Sequence, residues 1–275
     1  MASNADDNLT FWDHLDELRG TLMRIIGVTM LFGIAAFCFK DWLFEVVLAP
    51  TKSDFVTYRL LDRIGAMVGS ESVEFSLSLI NTALAQQFLT HMKTALSAGL
   101  LCAVPYILYA LLAFIMPALY DHERKYVSLL VVCGYVMFMG GVLLGYFLVF
   151  PFTFRFLSTY QVSADVANMI TLDSYMSAFM GMVFMLGLIF EMPILCWMLA
   201  KLRVLNAEFM RKYRRHAVVL ILIIAAIITP TADVFTLSLV SLPMLLLYEL
   251  SIGVVSVVDK KMKSRYDKDF KKTLS

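Results

Sequence analysis

Apolar residues along this chain gather into long, nearly uncharged runs separated by short polar pieces. The runs fall at Leu22–Phe39, Leu96–Met116, Tyr126–Phe150, Met176–Leu199, Ala217–Ile228 and Val234–Val258. A bilayer core about 30 Å thick takes about 20 mostly apolar residues in helical form. Backbone amides in hydrocarbon must bond within the protein, so each run predicts a helix. The fifth run is short, about 18 Å at 1.5 Å per residue, and a core or re-entrant segment is one reading of it. Thr229-Pro230-Thr231-Ala232-Asp233 predicts a tight reversal into the sixth run, however, because Pro disfavours a continuous helix there. We therefore read two helices joined by a short turn in a locally thinned bilayer.

The pieces between the runs fix an expected orientation. In a six-span arrangement, 17 of the 23 Lys and Arg fall on one side: Arg19 and Arg24, Arg124 and Lys125, the connection Lys201–Arg215, and the C-terminal tail from Lys260. The other side keeps Lys40, Lys52, Arg59, Arg63, Lys93 and Arg155. Basic residues stay cytoplasmic, so both termini are expected inside. Three segments follow: a cytoplasmic amphipathic helix over 1–21, a six-span domain over 22–258, and a basic tail over 259–275. Within the domain, 40–94 is too long for a simple turn and predicts surface helices forming an outer cap.

Composition strengthens this picture. Of 275 residues, 60% are hydrophobic and only 16% charged, and the mean hydropathy is +0.77. A soluble domain carries about 45–50% apolar and about 25% charged residues, so a water-soluble enzyme is excluded. The alternation of a transmembrane barrel is equally absent. Cys38, Cys102, Cys133 and Cys196 lie singly inside apolar runs and predict neither disulfide nor metal site. Asp6, Asp7, Asp13, Asp16 and Glu17 make an acidic start, which predicts a retained N-terminus rather than a cleaved leader.

Two groups of acids stand out against so apolar a background. Glu191, in Phe190-Glu191-Met192-Pro193, lies about 12 Å from the inner end of its run. A carboxylate at that depth costs about 2.5–3.5 kcal/mol and marks a pathway or a partner contact, unless it is a paired structural glutamate beside a Pro kink. The second group is cytoplasmic. Leu9, Trp12, Leu15 and Leu18 draw one apolar stripe, capped by Thr10, with Asp13, Asp16 and Glu17 pointing away from it. Glu123 lies in the short connection Tyr120–Lys125, so Glu17 and Glu123 offer two carboxylates on an otherwise basic face. Their use would be charge-assisted binding of guanidinium groups, with local ion pairing an equal alternative. His14, His91, His122 and His216 match no metal or catalytic constellation, and no phosphate loop or nucleophile elbow is present. Neither an enzyme, a cofactor nor nucleic-acid binding is expected, whereas Arg211–Arg215 and the tail are expected to touch anionic lipid.

The motifs themselves resemble a known family. Phe11-Trp12-Asp13-His14-Leu15-Asp16-Glu17-Leu18-Arg19 is similar to the H-L-x-E-L-R start of TatC, the multi-span subunit of the twin-arginine protein translocase. Further similarities run in order along the chain: Leu48-Ala49-Pro50, Pro105–Tyr109, Ala113–Tyr120, His122-Glu123-Arg124, Gly145–Pro151, Phe190–Pro193, Thr229-Pro230 with Asp233, then Pro243 and Tyr248-Glu249. Thr21 stands where the family usually has a second basic residue, and Leu237 where a glutamine is common.

The resemblance implies an all-α, cupped-hand membrane protein of the bacterial inner membrane. Such a protein receives twin-arginine signal peptides and exports folded proteins on the proton-motive force. It implies that Glu17 and Glu123 take the two signal arginines, framed by Arg19 and Phe114. Glu191 matches the buried acid of the concave face, Pro50 an outer-cap position, and Asp233 a partner-docking position. Small single-span subunits of the TatA/TatB type are the implied partners, with membrane lipid and a homo-oligomer as further possible ones. From the residues alone, a proton-coupled solute transporter with Glu191 as relay carboxylate is the competing expectation.

Overall fold

A computed structural model describes residues 11–68, 79–115, 127–160, 163, 168–229 and 233–273. The described chain is helical apart from turns and one isolated β-bridge, Ile80 with Thr171. Among the described residues, five stretches are long and apolar enough to cross a membrane: Leu15–Cys38, Gln86–Phe114, Ser128–Thr159, Leu172–Lys201 and Val234–Met262. They correspond to every apolar run except the fifth. That run lies in a helix of 15 residues, Arg214–Ile228, about 22 Å long and shorter than a hydrocarbon core.

The chain divides into two units. The first comprises Met1–Lys40 and His91–Tyr135. Its main element, α1 (Phe11–Cys38), runs unbroken through residues 21 and 22, so the amphipathic start and the first apolar run form one helix. Its partner is the His91–Ile115 portion of α4 (Gln86–Ile115). The two approach at glycine: a Cβ on Gly99 would lie 2.4 Å from Gly33 N and 2.8 Å from Thr29 O. Lipid tails are as apolar as the side chains, so helices here associate through backbone proximity that only small residues permit. Ala95 and Ala103 are buried alongside. Phe37 stacks on His91 with ring centroids 4.0 Å apart.

The second unit comprises Asp41–Thr90 and Val136–Ser275. It holds α2 (Lys40–Leu48), α3 (Val56–Val68) and the second half of α5 (Val127–Leu144), then α6 (Phe150–Thr159) and α7 (Leu172–Phe190). It continues with α8 (Met192–Lys201), α9 (Ala207–Lys212), α10 (Arg214–Ile228) and the 40-residue α11 (Val234–Thr273). α5 and α7 also meet at glycine, where a Cβ on Gly141 would lie 2.5 Å from Leu186 O. Between α5 and α6 the backbone widens into a π-turn over Gly145–Val149, in which Phe150 N donates to Gly145 O. The cause is Pro151. Its ring would collide with the Phe147 carbonyl one α-turn earlier, and it has no N–H to offer that oxygen. Phe150, Phe154, Tyr175 and Phe179 pack edge-to-face beside the turn, with centroids 5.0–5.2 Å apart across the α6–α7 pairs.

Candidate functional site

The residues expected to frame a guanidinium site lie in the first unit. Glu17 and Arg19 sit in the second and third turns of α1 and are exposed, while Phe114, near the end of α4, is half-buried. Glu123 lies outside the described residues, so the expected pairing of Glu17 with Glu123 does too. What is in place is one acid and one aromatic, each on a helix that the Gly33–Gly99 contact packs against the other.

Glu191 is the hinge residue between α7 and α8. Its N–H bonds Leu188 O at 3.1 Å, and its carbonyl accepts from Ile194 and Leu195. Pro193, in the first turn of α8, needs no intrahelical donor there, which is why the break is tolerated. The side chain is 7% exposed. Its Oε1 finds no hydrogen-bond partner among the described residues. A buried, unsatisfied carboxyl oxygen inside a span is retained against its cost to stability.

Pro50 is buried in a 3₁₀ turn, Ala49–Thr51, that follows α2. The last carbonyls of α2 have no helical partners, and side chains from elsewhere supply them. Tyr146 Oη donates to Val46 O at 2.7 Å, Tyr175 Oη to Val47 O at 2.8 Å, and Thr51 Oγ1 to Leu48 O at 2.7 Å. Tyr58, 3% exposed, shares its hydroxyl between Pro50 O at 3.1 Å and Pro151 O at 3.2 Å. Burial pushes its phenol well above the ordinary value, only partly offset by the Arg155 guanidinium, so it stays a donor. Thr57 Oγ1 donates to Phe147 O, the carbonyl that Pro151 leaves orphaned. The long connection is thus tied to α5–α7 by hydroxyl-to-carbonyl bonds that no sequence period announces.

Asp233 caps α11: its Oδ2 accepts from Thr236 N at 2.8 Å. In the middle of α11, Asp259 Oδ2 accepts from Ala207 N at 2.8 Å and Tyr248 Oη donates to Met210 O at 2.8 Å, pinning α9. Arg214 pairs with Glu249 at 2.6 Å. The basic run 211–215, expected only to orient the chain and meet lipid, therefore also holds part of the helix bundle. Among the described residues no three His, Cys, Asp or Glu converge as a metal would need.

Among the described residues, five apolar helices of crossing length, small-residue contacts between helices and the buried acid Glu191 at a helix break define a multi-pass membrane protein. The sequence profile described as Sec-independent protein translocase protein (TatC) matches residues 13–243. The chain belongs to the TatC family. A TatC from Blattabacterium sp. subsp. Periplaneta americana is 33% identical over 94% of this chain and 99% of its own length. One from Koribacter versatilis is 34% identical, over 95% and 90% respectively. A crystal structure described as twin arginine translocase receptor TatC superposes with a TM-score of 0.72 at 32% identity, covering 90% of this chain and 99% of that one. The protein is accordingly a subunit of the Sec-independent twin-arginine translocase and not an enzyme. That assignment decides between the two expected functions: the chain is a translocase subunit rather than a solute transporter.

Proposed function

We propose that this chain is the receptor of its translocase, and that Glu17 and Glu123 take the two arginines of a signal peptide, with Arg19 and Phe114 framing the site. The observation that carries this reading is the exposed Glu17 carboxylate on a helix packed against the one bearing Phe114, in a chain that matches a structure described as a twin arginine translocase receptor. A guanidinium offers paired donors to a carboxylate, and two of them read two acids better than two ammonium groups would. In this reading α10 is a sixth crossing through a thinned bilayer, both termini are cytoplasmic, and the membrane is the bacterial inner one. Pore-forming work falls to small single-span subunits of the TatA/TatB type, driven by the proton-motive force. Glu191 serves the intramembrane face, Pro50 anchors the outer cap, and Asp233 places the start of α11 for partner docking.

The test is site-specific photocross-linking of a twin-arginine precursor to this protein in membranes. Glu17→Ala with Glu123→Gln should abolish the cross-link while the protein stays inserted at its normal level. A precursor with two lysines should cross-link at least about tenfold less to the unsubstituted protein, as loss of bidentate bonds requires. Undiminished cross-linking of the double variant would discard the assignment.

A further inference from the structure

An apolar groove of ≈ 650 Å³ runs along α11, lined by Leu246, Glu249, Leu250, Gly253, Val254 and Val257. Leu246, Leu250, Gly253 and Val257 recur at helical spacing and so form one stripe. Leu246 and Leu250 are 60% and 59% exposed. At Gly253 the stripe has a notch, where an added Cβ would meet nothing within 4 Å. One edge of the stripe is polar and carries two guanidinium groups. Arg214 Nη2 lies 2.6 Å from Glu249 Oε2, and Arg211 Nη2 lies 3.5 Å from Ser256 Oγ. Glu249, Gly253 and Ser256 follow one line of the helix, so the two guanidinium groups reach α11 one turn either side of the notch. Lys260 and Lys261, both exposed, continue the basic rim.

From this arrangement we infer a site for one anionic phospholipid, its phosphodiester at Gly253 between Arg211 and Arg214 and its acyl chains along Leu250 and Leu246. The occupant must be apolar along most of its length and anionic at one end, which is the chemistry of a lipid with a charged headgroup. Each guanidinium has five N–H donors in a planar fork. The single bonds to Glu249 and Ser256 therefore leave donors for phosphate oxygens. A crossing helix laid on the same stripe would instead bury the half-exposed Arg214–Glu249 pair in hydrocarbon, at a desolvation cost that its own apolar side chains could not offset. The inference needs only that α11 crosses a bilayer, and it stands apart from the signal-peptide reading.

The experiment is titration of the full-length protein in detergent with phosphatidylglycerol or phosphatidylcholine, bound lipids being counted by native mass spectrometry. Phosphatidylglycerol is expected to bind about tenfold tighter than phosphatidylcholine, the size of one charge-assisted bond pair. Gly253→Leu, which fills the notch and leaves every ion pair, should remove that preference, as should Arg211→Gln. Glu249→Gln, which releases Arg214, should strengthen phosphatidylglycerol binding. Equal binding of the two lipids, or an unchanged preference in Gly253→Leu, would overturn the site. So would displacement of the bound lipid by inorganic phosphate, or cross-linking of a single-span subunit at Leu250 that phosphatidylglycerol fails to reduce.

Discussion

Glu191 carries a sharp energetic conflict in one side chain. Its Oε1 lies buried at a helix break with no hydrogen-bond partner among the described residues. An unsatisfied buried acceptor costs about 1–3 kcal/mol, and an apolar group of similar shape recovers it. Glu191→Leu is therefore expected to unfold at the same or a higher temperature than the unsubstituted protein in detergent, followed by intrinsic fluorescence, while export in cells is lost. A melting point several degrees lower would show the carboxyl to be a structural anchor instead. Both the position and the Pro193 break were legible from the Phe190–Pro193 run, because a charge inside an apolar run is conspicuous. The missing partner was not, since it depends on which side chains the neighbouring helices aim at that point.

Among the elements, α2 and its turn depend on borrowed donors. Tyr146, Tyr175 and Tyr58 supply hydroxyls to Val46, Val47 and Pro50 carbonyls that lack helical partners. Tyr175→Phe removes one such bond from a buried site, and the abandoned carbonyl should lower stability by about 1–3 kcal/mol. Chemical unfolding in detergent measures that loss. Hydrogen exchange at 46–51 should rise with it, and Tyr175→Phe exchanging like the unsubstituted protein would show that packing alone secures the turn. The apolar runs and the helices early in the long connection, α2 and α3, could be read from the sequence, since both follow from local pattern. The clamp could not. Its partners lie about 100 positions apart along the chain, and the receptive Phe147 carbonyl exists only because Pro151 opens a π-turn.

At the scale of the whole molecule, the proposed six crossings with both termini inside make a direct prediction of which residues face each side. With the four cysteines replaced by alanine, Lys52→Cys should react with an impermeant maleimide in intact cells. Lys260→Cys should react only once the inner membrane is opened. The reverse pattern would invert the orientation read from the Lys and Arg distribution. Five crossings were legible because each is long and apolar. The fifth run was ambiguous for a physical reason, since α10 is shorter than the hydrocarbon it would traverse. Glu17 is read from the sequence as a polar-face acid and is exposed on α1, whereas Glu123, the second acid of the proposed site, lies outside the described residues. α11 carries one more implication. It is one helix of 40 residues, about 60 Å long, with Pro243 inside it, capped in its own first turn by Asp233 and tied to α9 at Tyr248 and Asp259. The 14 residues after Asp259 extend about 21 Å beyond that last tie to α9, so a tilt of about 10° there would displace the helix end by about 4 Å.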